Sequence, residues 1–94
     1  MKKYKIKFKF KVMILNTNQA ISQRIFDICN KKKISINKLA NDSGISAMTV
    51  YSITNLKSKN PGIITIKILC DGWGVSLADF FNTDLFRNLE QEIC

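Results

Sequence analysis

The sequence contains no histidine, one proline, four glycines and only seven acidic residues among its 94. Without histidine, zinc fingers with His ligands and catalysis by Ser-His or Cys-His pairs are excluded. The three cysteines are odd in number and far apart, and no two of them form a C-x-x-C pair. They therefore predict no disulfide framework.

Two of these cysteines, Cys29 and Cys70, fall at apolar positions of helical patterns. We interpret them as buried free thiols, which fit a reducing cytoplasm. No apolar run approaches the roughly 20 residues that a membrane span needs. The basic N-terminus alternates instead of containing a continuous apolar stretch, and it makes a poor signal peptide. We therefore expect a cytoplasmic protein with no membrane partner.

The charge is strongly unbalanced and is concentrated in two blocks. Lys and Arg number 15 against seven acids, for a net charge of +8. Residues 1–12 carry six lysines and no acid, and residues 31–59 carry six lysines against Asp42 alone. The remainder is acidic. Such an excess indicates a polyanionic partner, which is either nucleic acid or an anionic membrane surface. A solvated, partnerless surface remains the plain alternative.

The first segment, residues 1–15, has the pattern of a basic strand or arm. From Tyr4 to Val12, apolar residues alternate strictly with lysines, which is the period of a half-buried β-strand. No other segment has a strand pattern, so the same strand of a second subunit would be its partner, in an antiparallel ribbon. Alternatively, Met13 is the natural start and the lysine-rich stretch is not part of the protein.

Residues 16–82 have apolar residues at helical spacing. We predict a first helix from about Asn18 to Lys32, with Asn16, Thr17 or Asn18 as its N-cap. Ser35 and Ser46 are predicted to cap two short helices that are separated by Gly44, where a left-handed residue is needed. A fourth helix begins at Ile63 and ends near Gly72–Gly74, and Ser76 caps a fifth.

The C-terminal tail, residues 83–94, has apolar residues four apart at Leu85, Leu89 and Ile93. This spacing predicts a last amphipathic helix. Its apolar stripe would either pack on the same domain or form a dimer seam. The fold class expected from the whole pattern is all-α: five helices, preceded by a short strand and followed by a helical tail.

The segment from Leu39 to Ser46 points to a function. Two short helices meet through a glycine turn, with Ala40 at a position where a small side chain lets the helices cross. The second helix carries Val50 and Ile53 on its inner face and small or polar residues on its outer face. This pattern is typical of a helix that enters the major groove of DNA.

The ordered string of residues across 21–81 resembles the Cro/C1-type, or XRE, helix-turn-helix family. The matching residues are Leu39, Ala40, Gly44, Ile45, Ser46, Thr49, Val50 and Ile53, then Asn60-Pro61, then Gly74-Val75-Ser76-Leu77. The resemblance covers about two-thirds of the chain. It implies a lambda-repressor-like five-helix DNA-binding domain, a recognition helix at residues 47–55, and a homodimer on a near-palindromic operator of double-stranded DNA.

The resemblance also assigns roles to individual residues. On the recognition helix, the expected base-contacting residues are Ala47, Met48 and Ser52, which match the family's positions, and Tyr51, which shares their face. The expected phosphate-contacting residues are Ser35, Asn37, Lys38, Ser46, Thr49, Asn55, Lys57 and Lys59. Met48 and Tyr51 have the alternative of being ordinary surface residues.

Three positions depart from the family's pattern. Ile36 stands where the family often has Gln, which removes one polar contact to DNA. Leu56 stands where a Gly usually ends the third helix, so a different exit from that helix is expected. Cys29 and Thr54 stand where many members have an Arg and a Glu that form a partly buried ion pair. We expect these two residues to face each other.

The sequence thus predicts a sequence-specific DNA-binding transcriptional regulator, a repressor, with no enzymatic activity, no cofactor, no metal and no small-molecule effector. One rival is an antitoxin-type protein-interaction module that also binds DNA. Another is a small nuclease, but the seven acids do not cluster as a metal site and no base-nucleophile pair is present.

Overall fold

The computed structural model describes residues 15–93. These residues form five α-helices and one 3₁₀ turn: α1 Thr17–Lys32, α2 Ile36–Ser43, α3 Ala47–Thr54, α4 Ile63–Trp73, α5 Leu77–Phe81 and the turn Asp84–Phe86. Within the described part there is no sheet, only an isolated bridge between Leu15 and Leu89. The predicted all-α, five-helix fold is confirmed, whereas the strand predicted for residues 4–12 lies outside the described residues.

Short polar side chains begin four of the five helices. Asn16 forms a capping box with Gln19: its side chain accepts from the Gln19 N–H, and the Gln19 side chain accepts from the Asn16 N–H. Ser35, Ser46 and Ser76 each accept a backbone N–H of the first turn through Oγ. Each bond satisfies a donor that has no partner inside its helix, so local sequence determines where these helices begin.

The core forms where the inner faces of α1–α5 meet. Its largest fully buried side chains include Ile25, Leu39, Ile66 and Phe80. Cys29 and Cys70 are also buried, as predicted. Burial raises the pKa of both thiols, and for Cys29 a contact with the Trp73 indole N–H offsets part of that rise. Both thiols are thus held in the protonated, unreactive form at neutral pH.

The α2 and α4 helices pack closely at Gly72. A Cβ atom built on Gly72 would lie 2.1 Å from Oγ, 3.1 Å from Cβ and 3.2 Å from Cα of Ser43. Ser43 must shift to admit a side chain here, so the glycine serves close packing rather than backbone freedom. The Ser43 hydroxyl is buried at this crossing without a hydrogen-bond partner.

Arg24 fastens the middle of α1 to the end of α5. Its Nε donates to the carbonyl of Phe80 at 2.7 Å, and one terminal nitrogen donates to the carbonyl of Asp79 at 2.8 Å. The guanidinium carbon also lies 5.8 Å from the centroid of the Phe80 ring. A cation among the carbonyls that end a helix stabilises both the unpaired acceptors and the helix dipole.

The predicted pairing of Cys29 with Thr54 is wrong. The residue of α1 that contacts Thr54 is Ser22, whose Oγ donates to the Thr54 carbonyl at 2.9 Å. Ser22 and Cys29 are seven residues apart, which is about 10 Å along a helix axis. Cys29 instead lies beside Trp73 of α4. The space between α1 and α3 is therefore bridged by a neutral hydrogen bond.

The C-terminal amphipathic helix is also not formed. After the 3₁₀ turn, residues 87–93 are non-helical, and the Glu90 N–H donates to the Leu15 carbonyl at 3.0 Å. Thr17 donates to the Glu92 carboxylate through both its N–H, at 3.2 Å, and its Oγ1, at 2.9 Å. These contacts join the tail to the start of α1 and place an anion at the N-terminus of that helix, whereas a short isolated helix is only marginally stable.

Candidate functional site

The α2–turn–α3 unit is built by local interactions. Gly44 has φ +72°, and its N–H caps α2 by donating to the carbonyls of Ala40 and Asn41. The Ile45 N–H then donates to the Ala40 carbonyl at 3.1 Å, and the Ile45 side chain packs against the core. Ser46 begins α3 immediately afterwards. This turn fixes the start of α3 relative to α2.

One face of α3 packs inward and the other is open to solvent. Val50, Ile53 and Thr54 are buried. On the outer face, Met48 is 72% exposed and Tyr51 is 41% exposed. Ser52 is half-buried. Ala47 is also only partly exposed, because it packs against the core. Of the four predicted base-contacting residues, the structure thus leaves Met48 and Tyr51 most accessible.

The exit from α3 keeps a left-handed residue although no glycine is present. Leu56 has φ +64°, and the N–H groups of Lys57 and Ser58 both donate to the Ser52 carbonyl at 2.9 Å. Left-handed backbone costs an L-residue roughly 1–2 kcal/mol. The expectation that the exit would differ is wrong in its geometry: the chain turns as a glycine would turn it, with local strain.

Before α3, the predicted phosphate-contacting residues lie around the start of α2. Asn37 and Lys38 are exposed in its first turn, and the Ser35 hydroxyl accepts the Lys38 N–H at 3.0 Å. The Lys38 ammonium lies 3.1 Å from the Asp42 carboxylate in an exposed pair. Such surface pairs contribute at most about 1 kcal/mol, so Lys38 remains available to another anion.

After α3, Lys57 and Lys59 are both exposed. The loop that carries them is fastened to α1, because the Asn18 side-chain amide donates to the Lys59 carbonyl at 3.0 Å. Asn55, the C-cap of α3, and Thr49 are exposed on the same helix. The structure therefore places Lys57 beside Thr49 and Ser52 of α3, where all three line one cleft, while Lys38 lies on α2.

Sequence reasoning did not find one component of this surface, the N-terminus of α4. Its N-cap, Gly62, provides no side-chain hydrogen bond, which leaves the first N–H groups of α4 without side-chain partners. They border a cleft of about 340 Å³ beside α3, lined by Thr49, Ser52, Ile53, Lys57, Ser58, Asn60, Pro61, Gly62 and Thr65. The Pro-Gly pair before an apolar run was the available signal.

The described residues contain no group of three or more His, Cys, Asp or Glu side chains arranged to hold a metal ion. Over the same residues, no helix is long and apolar enough to cross a membrane. What the surface offers chemically is a set of hydrogen-bonding groups, apolar side chains and cations around one exposed helix face.

Two short helices joined by a glycine turn, with the outer face of the second exposed to solvent, define a helix-turn-helix protein. A family model described as the Cro/C1-type HTH DNA-binding domain matches residues 24–84. The chain belongs to this family of DNA-binding domains.

One solved structure is similar to this chain over most of the length of both. The crystal structure of the prophage Lp1 protein 11 superposes with a TM-score of 0.69 at 26% sequence identity, over 77% of this chain and 95% of that one. No curated protein matches the sequence.

Proposed function

We propose that this protein is a transcriptional repressor that binds a near-palindromic operator as a homodimer. The observation that carries the proposal is the exposed outer face of α3, which has no acid of its own and is preceded and followed along the chain by exposed lysines. A recognition helix needs such a face to reach base edges, while flanking cations neutralise phosphates. A repressor then acts by occupying DNA that the transcription machinery requires.

Two kinds of contact are expected to divide the work. Lys57 and Lys59 neutralise phosphates beside the groove, and the free N–H groups of α4 supply further donors to an anion in the adjoining cleft. Ser35, Asn37, Lys38, Ser46, Thr49 and Asn55 are proposed to complete the phosphate contacts. Met48, Tyr51, Ser52 and, less exposed, Ala47 are proposed to meet the bases and set the preferred sequence.

The division is tested by replacing one residue of each kind. Lys57→Ala is expected to weaken binding to all duplexes by a similar factor and to lower the salt slope by about one unit, because one phosphate contact is lost. Ser52→Ala is expected to change the preferred sequence instead. Both are measured by selecting bound duplexes from a random pool and titrating the selected sites at several salt concentrations.

Lys67→Ala is the matched control. Lys67 is exposed on α4, two residues from the cleft-lining Thr65 and therefore on the other side of that helix. Lys67→Ala removes the same charge as Lys57→Ala and should leave the salt slope unchanged. The assignment is wrong if Lys57→Ala alters the preferred sequence while Ser52→Ala does not.

Repression and dimerisation need separate measurements. A reporter promoter that overlaps the selected site should lose expression when the protein is produced, and sedimentation of the free protein should give twice the chain mass. Raised reporter expression would instead identify an activator, and a monomer on a site without two-fold symmetry would contradict the operator proposal.

A further inference from the structure

The recognition helix of this protein lacks the side chains that usually read guanine and cytosine. Residues 39–56 contain no Lys, Arg, Gln or Glu, and their one acid, Asp42, is on α2 and paired with Lys38. Guanine is read best by a bidentate Arg or Lys, and cytosine by a carboxylate that accepts from N4. Neither contact can be made from α3.

Side chains that usually read adenine are also scarce in and around α3. The usual bidentate partners of adenine are Asn and Gln. Helix α3 itself contains neither, and the nearby amides are Asn55, at its C-cap, and Asn60, in the loop beyond it. Recognition helices usually insert their N-terminal residues most deeply into the groove. In α3 the N-terminal turn presents Met48, whose thioether is at best a weak acceptor.

What this turn does present is apolar surface. Met48 is the most exposed large apolar residue of α3, at 72%, and its backbone N–H is already donated to Ser46 Oγ at 3.1 Å. The partly exposed Ala47 methyl lies beside it, and Tyr51 follows one turn later. The one apolar group that a base pair offers in the major groove is the C5 methyl of thymine.

We propose that Met48 reads the sequence by packing against thymine methyl groups, so that the operator has T·A pairs beneath the start of α3. This inference rests on the proposed function and names the class of DNA it requires. The occupant of the apolar face is a DNA duplex because α3 carries no acid, Lys57 lies beside Ser52 of α3, and Lys38 and Lys59 are exposed before and after the helix in the chain. Such an excess of cations attracts a polyanion. Sequence discrimination then comes from methyl burial.

The test removes the methyl without changing the base pair. A duplex selected from a random pool by the full chain is resynthesised with deoxyuridine replacing thymidine at one T·A pair at a time, and Kd is measured by fluorescence anisotropy. At one or two positions per half-site, Kd should rise about fourfold, as expected when the burial of one methyl group is lost. At the same positions, 5-methylcytosine in a C·G pair should bind more tightly than cytosine by a similar factor.

Two variants locate the effect. Met48→Ala should bind the thymidine and deoxyuridine duplexes equally, and it should unfold at the same temperature as the parent, because Met48 is mostly exposed. Lys57→Ala should weaken binding to both duplexes while keeping the fourfold ratio between their Kd values. The ratio therefore reports on Met48 separately from overall affinity.

Three results would overturn the inference. A selected site in which every deoxyuridine replacement is neutral would leave sequence-specific binding intact and remove the methyl contact. A fourfold ratio that survives Met48→Ala would assign the contact to another residue. If Met48→Ala changed the sedimentation of the free protein and left the ratio unchanged, the apolar face would belong to a protein interface. Failure to select any sequence would refute the proposed function itself.

Discussion

The two sides of the helix-turn-helix unit differ in how strictly the fold constrains them. On the inner side, α2 meets α4 so closely that a Cβ atom at position 72 would lie 2.1 Å from Ser43 Oγ. On the outer side, α3 leaves Met48 72% exposed and Tyr51 41% exposed. The inner side therefore determines stability, and the outer side is free to determine which DNA is bound. Changes on the two sides should be separable by measurement.

The largest effect on stability is expected at Arg24, which joins α1 to α5. Arg24→Ala should lower the free energy of unfolding by about 2–3 kcal/mol, since charge-assisted hydrogen bonds to two carbonyls are lost. Urea denaturation measures this change. Arg24→Lys keeps the charge but not the planar fork, and should recover only part of the loss. Equal stability of all three proteins would show that the two contacts contribute nothing.

A smaller loss is expected from Gly72→Ala. Alanine favours a helix over glycine by about 1 kcal/mol, but overpacking against Ser43 costs about 1–3 kcal/mol, so net destabilisation of about 1 kcal/mol is expected. The double variant Gly72→Ala with Ser43→Ala removes the 2.1 Å contact and should recover part of it. At saturating protein, both variants should select the parent's DNA sequence. A shift in that sequence would show that the inner side also sets specificity.

The smallest effect is expected at the boundary between the two sides, where α3 ends. Leu56→Gly should raise the free energy of unfolding by about 0.5 kcal/mol, because relief of the left-handed strain slightly exceeds the lost burial and the added chain entropy. Lys33→Gly is the matched comparison, with φ +57° at an exposed helix end and no apolar burial to lose. Thermal unfolding of both variants measures the difference. Destabilisation by Leu56→Gly alone would mean that the leucine's contacts outweigh its strain.

Local signals explain what could be predicted from the sequence. Each of Ser35, Ser46 and Ser76 caps the helix assigned to it, because the cap needs only a hydroxyl and the N–H groups that follow it. Gly44 and Gly74 end helices with positive φ for an equally local reason. The outer face of α3 also followed from helical spacing alone, which is why the candidate site could be proposed before its geometry was known.

The features that were missed depend on distant residues. The tail has a helical spacing, but a contact between Leu15 and Glu90 and another between Thr17 and Glu92 compete with the helix. Pairing across α1 and α3 depends on the register between two helices, so Thr54 meets Ser22 rather than Cys29. No periodicity within one segment reports either relationship.

Leu15 and Leu89, which are close to the two ends of the described residues, lie side by side in a β-bridge. Paired backbone segments lie about 5 Å apart, so a short peptide can span the two positions. The chain can then be opened elsewhere, for instance at the exposed Lys33 between α1 and α2, without removing a helix. Such a circular permutant would begin with the helix-turn-helix and finish with α1. In engineering terms, the order of the helices along the chain is separable from their arrangement in space.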